Sequence, residues 1–272
     1  MPNHYELAVR AVDIYESQKV SSIFAPLAKV SLEKIEIADG DRVLDVACGT
    51  GIVARTIREY CGPNVKISSV DVNDMMLMKA QALTCNLPGQ FDWYLSEAAD
   101  IPVPSHSFTH VFCQQGLQYF PDDFAVLEEV RRVLSADGKL VLTVWEPANE
   151  YFLAQSAAMK KYVSDEAGDM ALAPFSYPGE PRVRQLLARL GFKNVTVETV
   201  SIERVIPDAA VGIREDILGS PLGSMVEKLG LSVMEKIVQH ILTACTEHLQ
   251  KGNLVIAQKS TLITASTDQV HP

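Results

Sequence analysis

The chemistry in this sequence gathers around three acidic residues and a glycine turn. Val43-Leu44-Asp45-Val46-Ala47-Cys48-Gly49-Thr50-Gly51 passes from a strand-like run through the turn into a helical pattern. Open α/β sheets bind ligands at such places, outside the carboxyl ends of their strands. The two glycines let the backbone approach a ligand with no Cβ in the way, and the helix that follows offers unpaired N–H groups. Gly49-Thr50-Gly51-Ile52-Val53-Ala54 also fits the dinucleotide pattern G-x-G-x-x-A. Asp45 separates the candidate ligands. Its carboxylate repels a pyrophosphate, by roughly 4 kcal/mol at about 4 Å and an effective dielectric of about 20. It favours a ligand carrying an ammonium or sulfonium group. The plainer role for Asp45 is to cap the helix or accept nearby backbone N–H groups.

The second group is Val70-Asp71-Val72-Asn73-Asp74-Met75-Met76, with Asp71 twenty positions beyond Gly51. An acid there can accept both hydroxyls of a ribose. Met76, about one helical turn on, can cover an adenine face with its polarizable thioether, and Asp74 reads as a helix N-cap. The third is Glu97-Ala98-Ala99-Asp100-Ile101-Pro102-Val103-Pro104. Asp100, in a proline-stiffened loop, can accept from an exocyclic amine while Ile101 packs on a ring; the plainer alternative is a turn with a solvated Asp.

Two further runs follow in order, Cys113-Gln114-Gln115-Gly116-Leu117-Gln118-Tyr119-Phe120-Pro121-Asp122 and Leu134-Ser135-Ala136-Asp137-Gly138-Lys139-Leu140. With these in place, residues 41 to 146 resemble a class I S-adenosylmethionine-dependent methyltransferase. The branch is the small-molecule one typified by the ubiquinone/menaquinone biosynthesis C-methyltransferases. The resemblance implies S-adenosyl-L-methionine as cofactor and S-adenosyl-L-homocysteine as product. It puts the methionine end near Asp45, Ala47, Gly49 and Gly51, bordered by Gln114 and Gln115, and the ribose on Asp71. Adenine falls among Val72, Met76, Asp100 and Ile101. Tyr15 and Phe24 resemble aromatic positions on the lid helices of related enzymes; as core aromatics of a helical flank they are equally well explained. Where related sequences often have Asp before the fourth strand, this chain has His110, an ordinarily structural position.

Methyl transfer from a sulfonium is an in-line displacement with a good leaving group, accelerated largely by aligning the acceptor and excluding water. A general base is needed only when the nucleophile must lose a proton, so no catalytic residue is assigned. Glu146, His240 and Tyr119 are the candidates. Gln118, Tyr119 and Trp145 are expected to face a small, apolar or aromatic acceptor, methylated at oxygen or carbon. His240 sits where apolar residues recur at helical spacing, the setting of a core histidine, and Glu146 reads equally as a solvated strand-end acid. Two alternatives stay open: an S-adenosylmethionine-binding enzyme that cyclises or rearranges its substrate, and an NAD-dependent oxidoreductase built on the glycine pattern.

These residues need a scaffold, and the hydrophobic rhythm supplies one. Strand-like runs at 41–47, 66–70, 91–95, 109–113 and 139–145 alternate with helical patterns at 52–60, 74–84 and 122–134, which implies a parallel sheet with right-handed crossovers. Before it, 6–16 and 20–35 are helical, with Pro26 as a break or kink. After it come helices at 150–163 and 182–190, a loop at 173–179, a β-like run at 195–205, a helical block at 209–249 and a last β-like run at 253–262 before a polar tail. The expected fold is α/β: a Rossmann-like, doubly wound, mostly parallel seven-stranded sheet with an N-terminal helical lid and an inserted helical cap. The chain divides into a lid (1–40), a cofactor-binding core (41–146), a cap and acceptor region with a late strand (147–252), and a final strand and tail (253–272).

Composition bounds the rest. The 272 residues are 47% hydrophobic and 21% charged, with a formal charge of −10, which excludes disordered and fibrous classes. The acidic balance argues against nucleic acid, whose phosphates need clustered Lys and Arg. Arg131-Arg132, the nearest basic pair, reads as a solvated helix face. Five scattered cysteines without Cys-x-x-Cys spacing fit a reducing compartment and neither zinc nor disulfides. The amino terminus shows no signal peptide and no run is long enough to span a bilayer. A cytoplasmic enzyme with a small-molecule acceptor, no metal and no membrane span is expected.

Overall fold

The computed structural model describes residues 9–267. The start of the first expected helix and the end of the tail lie outside them.

The alternating runs form β1 (Arg42–Val46), β2 (Lys66–Asp71), β3 (Phe91–Leu95), β4 (Phe108–Gln114) and β5 (Leu134–Trp145). Between them lie α3 (Ile52–Cys61), α4 (Asp74–Thr84) and α5 (Asp123–Val133), which follow α1 (Val9–Ile14) and α2 (Ala25–Leu32). α3 shows why the pattern works: Val53, Ala54 and Ile57 are buried while Glu59 and Tyr60 face solvent, a stripe at the 3.6-residue period. β6 (Lys193–Ile206), β7 (Leu249–Gln250) and β8 (Asn253–Ser266) complete one sheet of order β3-β2-β1-β4-β5-β8-β6, β7 pairing with β8. Strands β1 to β5 run parallel and β8 is antiparallel to both its long neighbours. The two-residue β7 makes the count eight where the sequence suggests seven.

One feature of the register shapes the site. β5 ends at Trp145, paired with Ser260, but β6 and β8 go on pairing from Val200↔Ser260 to Ile206↔Leu254. A two-stranded ribbon therefore projects past the sheet's carboxyl edge. α6 (Glu150–Tyr162), α7 (Asp165–Leu172), α9 (Ala209–Leu218), α10 (Gly223–Leu229) and α11 (Leu231–Ala244) pack on it, burying Ile206, Leu254 and Ile256 with Tyr151, Ile213, Val226 and Ile237. α5 and α8 (Glu180–Arg189) cover one sheet face through Val130, Val183 and Leu187. α2 and α3 cover the other through Leu27 and Ile57.

Several local expectations change. Pro26 does not break the arm. Residues Tyr15–Phe24 form a π-helical stretch that passes into α2, with Ala25 N–H bonding five residues back to Val20 O and the proline in the first α turn, where its missing N–H costs little. Asn73, not Asp74, caps α4, accepting from the N–H groups of Met75 (3.0 Å) and Met76 (3.3 Å). The block at 209–249 divides into three helices, Gly230 taking φ +89° between α10 and α11. α7 falls where no element is expected, and β8 runs through Leu262 to Ser266 because β5 offers partners to that point. Arg131 and Arg132 are not simply solvated: Arg131 lies over the Phe192 ring at 5.5 Å, and Arg132 is tied into a loop described below.

Candidate active site

The first wall is built where β1 and β4 end. Ala47 (φ +56°) and Gln115 (φ +56°) both take left-handed backbone, a strain of order 1 kcal/mol or more each that functional turns commonly carry. A Cβ on Gly116 would stand 2.8 Å from that of Ala47, so only glycine lets the two strand ends approach. Gly49 (φ +54°) is open, a Cβ there meeting only the Tyr15 hydroxyl at 3.7 Å. Gly51 has a different use: a Cβ would press Trp93 at 3.0 Å and Ala80 at 3.1 Å, so this glycine seats α3 on its neighbours.

Asp45 is buried beside this loop, and its Oδ2 has no hydrogen-bond partner among the described residues. Burial pushes its carboxyl well up and nearby Asp71 pushes it further, against one backbone N–H from Ala54. Gln114 donates to Phe24 O at 3.0 Å, leaving its Oε1 buried and unpartnered, as is Oε1 of Gln118. Three acceptor atoms without protein donors at one sheet edge fit a ligand bearing an ammonium group. Asp71 accepts from Gly49 N at 2.8 Å and Asn73 N at 2.9 Å. Burial raises its pKa against those N–H groups. A carboxylate has about four lone-pair sites, which leaves capacity for hydroxyl donors.

At the next strand end Val72 is half exposed, a free apolar surface. Met76 is buried against Val12 of the arm, and Asp100 is exposed. Ile101 points into the core and donates its N–H to Glu129 at 2.7 Å. Glu129 pairs with Arg132 (2.6 Å), which holds Ile101 O (3.0 Å) and Val103 O (2.9 Å). This pair fixes the loop around Asp100, with the Arg132 bonds holding the Glu129 carboxyl below its ordinary value. The sequence reading missed it because both members lie in α5, far along the chain from the loop.

Opposite the loops stands a series of rings. Tyr15 and Phe24 are 5.6 Å apart, Phe24 and Trp145 6.2 Å, Trp145 and Phe175 5.8 Å, Phe175 and Phe152 4.6 Å, and Phe152 and Tyr151 5.1 Å. It runs from the glycine loop to the cap. Tyr119 is 46% exposed, yet its hydroxyl is withdrawn beside Trp145 and Gln118, and burial lifts its pKa to about 12. Gln118 donates to Gln115 O at 2.9 Å, and Gln115 to Ser260 Oγ at 2.9 Å.

Beyond the rings lies an ionic cluster that the sequence reading did not anticipate. Arg204 of β6 and Asp216 of α9, each 1% exposed, pair at 2.7 Å. Lys19 of the arm meets the same Asp216 oxygen at 3.0 Å, and Tyr151 of α6 donates to the other at 2.6 Å. Burial opposes ionisation of Asp216, but Arg204 and Lys19 outweigh it and hold the carboxyl well below its ordinary range. The arm is pinned to the core as well, by Glu16–Arg55 (2.7 Å) and Asp13–Lys79 (2.7 Å).

The remaining candidates stand apart. Glu146 lies on the sheet face opposite Trp145, accepting from Thr261 and from Thr199 at 3.4 Å, and His240 packs edge-on against Tyr162 in the cap. His110 is buried on β4 beside Thr109 (2.9 Å) and Asp41 (3.7 Å).

Strand order and glycine turn together define a Rossmann-like α/β fold with acidic strand ends. Residues 43–138 match the model of a methyltransferase domain. A demethylmenaquinone methyltransferase of Staphylococcus aureus is 25% identical over 180 residues, 62% of this chain and 74% of that protein. Phosphoethanolamine N-methyltransferase 2 of Haemonchus contortus, solved with phosphomonomethylethanolamine and S-adenosylhomocysteine, superposes with a TM-score of 0.58 at 18% identity, over 97% of this chain and 61% of its own. A SAM-dependent methyltransferase of Aquifex aeolicus gives 0.53 at 19% identity, over 74% and 93%. The chain carries a methyltransferase domain at residues 43–138 on a Rossmann-like fold and is an S-adenosylmethionine-dependent methyltransferase. The oxidoreductase alternative falls with the domain match. No helix among the described residues is long and apolar enough to cross a membrane.

Proposed function

We propose that this enzyme methylates a small, apolar or aromatic acceptor by in-line displacement, with positioning as its main catalytic device. The observation that carries this reading is the ring series from Tyr15 to Phe152, which continues from the glycine loop into the cap.

When bound, S-adenosylmethionine supplies a methyl group on a cationic sulfur that leaves as a neutral thioether. Asp45 and Gln114 hold the ammonium and Gln115 borders it, while Ala47, Gly49 and Gly51 shape the backbone around the methionine end. Asp71 takes the ribose hydroxyls. Val72 and Met76 flank the adenine, and Asp100 and Ile101 stand at its edge on the loop that Glu129 and Arg132 fix. Tyr15, Phe24 and Trp145 exclude water and turn π faces towards positive charge. Trp145 with Gln118 and Tyr119 borders the acceptor. Tyr119 keeps its proton at neutral pH and therefore serves as a hydrogen-bond donor, not a base. Five free thiols support a cytoplasmic setting.

Incubation with methyl-labelled cofactor tests the reading. Label is expected to move to aromatic acceptors, beginning with reduced demethylmenaquinone, and not to phosphomonomethylethanolamine. The opposite preference, or conversion of an acceptor without transfer of label, refutes it.

A further inference from the structure

Arg204 occupies an unusual position for its charge. Along β6 the residues facing the arm are Val200, Ile202, Arg204 and Ile206, all buried. Three are aliphatic and the fourth is a guanidinium. At a purely structural site, well-packed apolar residues are commonly as stable as a buried ion pair or more so. The cluster around Arg204 is also unbalanced. Arg204 and Lys19 are cations, Asp216 is the one carboxylate they share, and Tyr151 is held neutral, burial first and then Asp216 pushing its pKa well up. One positive charge is left over, with Arg204 wholly buried and Lys19 only 14% exposed.

The guanidinium is also incompletely bonded. Its Nη2 donates to Asp216 and its Nε to Ser22 Oγ at 3.3 Å, but Nη1 is buried with no protein acceptor among the described residues. A buried charged donor left without an acceptor costs more than an ordinary hydrogen bond contributes. Arg204 stands on the ribbon beyond Trp145, on the same face of the sheet. Its Cζ lies 5.1 Å from the Tyr151 ring and 5.9 Å from that of Phe152, at the far end of the ring series from the glycine loop.

We propose that Arg204 anchors the acceptor by an anionic oxygen, of the carboxylate, phenolate or enolate class, while the rings hold its apolar body. The inference rests on the aromatic-acceptor reading above. The oxyanion supplies both the missing acceptor for Nη1 and the missing negative charge, as a planar donor fork does for carboxylates generally. Arg204 thereby becomes the residue that selects charged acceptors over neutral ones of the same shape.

The test is calorimetric titration of the full chain, saturated with S-adenosylhomocysteine, with 2-naphthoate and with its neutral analogue 2-naphthalenemethanol. The wild-type protein is expected to bind the carboxylate about tenfold or more tightly than the alcohol. Arg204→Lys keeps a cation for Asp216 but loses the fork, and should abolish that preference while leaving alcohol binding within about twofold. Lys19→Met leaves Arg204 in place and removes only the surplus charge. It should lower the preference severalfold, and it decides the matter if Arg204→Lys does not fold. Equal affinity of the wild type for the two probes overturns the proposal and leaves the aromatic-acceptor reading standing, as does equal loss of both in the variants. Binding of neither probe overturns both.

Discussion

The two parts of the candidate site are assembled in opposite ways. On the proposed cofactor side, Asp45 and Asp71 lie near the ends of neighbouring parallel strands, beside the glycine turn. On the proposed acceptor side, Lys19, Tyr151, Arg204 and Asp216 come from four elements spread over almost 200 residues and meet only because the arm, the cap and the β6–β8 ribbon pack together. The first half is written into short runs of chain, and a strand end followed by a helix start suffices to build it. The second exists only when the whole chain is folded. Changes on the cofactor side should therefore appear as lost ligand affinity, and changes in the buried cluster first as lost stability.

The largest effect is expected at Asp216. Its replacement by Ala leaves the buried Arg204 and the largely buried Lys19 without their carboxylate and should cost about 3–5 kcal/mol, read from denaturant unfolding. The pH dependence has a definite sign. Because the folded-state pKa lies below the unfolded value of 3.8, Asp216 contributes its full stabilisation above that value and loses it as pH falls through the folded pKa. A loss under about 1 kcal/mol at neutral pH would mean that the arm and cap do not depend on the cluster.

Asp45→Asn comes next and works the other way. Removing a buried charge that should meet an ammonium should weaken S-adenosylhomocysteine binding by about 2–5 kcal/mol, without loss of fold stability. Asp45 has a raised folded-state pKa, so the folded chain holds this proton more tightly than the unfolded chain. Its contribution to stability therefore declines as pH climbs from 3.8 towards the folded value. A cationic ligand displaces the proton. Affinity should rise with pH across that window, and Asp45→Asn should reduce the proton release on binding, measured in buffers of different ionisation enthalpy. An unchanged release would remove Asp45 from the ligand site.

A smaller effect belongs to Glu129→Ala, which strands the Ile101 N–H and frees Arg132. About 1–3 kcal/mol is expected, seen mainly as a raised KM for the cofactor with kcat nearly unchanged. His240→Ala should be the smallest, within about 0.5 kcal/mol in stability and without effect on turnover. A large fall in rate there would break the division between the two halves.

The cofactor side was legible because its residues keep their meaning locally. A carboxylate at a strand end, a glycine in a left-handed turn and an apolar alternation are properties of five to ten consecutive residues. Even there the reason for a residue can differ from the expected one. Gly51 is required by Trp93 and Ala80 more than by a ligand, and the apolar side chain of Ile101 turns inward while its N–H carries the loop. The ring series was half legible: Tyr15, Phe24 and Trp145 stood out, while Phe152 and Phe175, in the helix expected at 150–163 and the loop expected at 173–179, carried no local signal of their own. Arg204 was invisible. In the run Val200 to Ile206 it reads as one polar residue in an alternating strand, and the facing Asp216 lies in a helix whose orientation no local pattern states.

By itself the sequence determined the strand–helix alternation, the sheet's parallel core and the placing of carboxylates at the strand ends beside the glycine turn, because backbone periodicity and strand-end chemistry are short-range. Only the tertiary structure decided that β6 and β8 continue past Trp145, that the arm closes on both core and cap, and that one unbalanced guanidinium ends up buried at the far end of the rings. Those outcomes depend on which surfaces exclude water together, and that is settled only when distant elements pack.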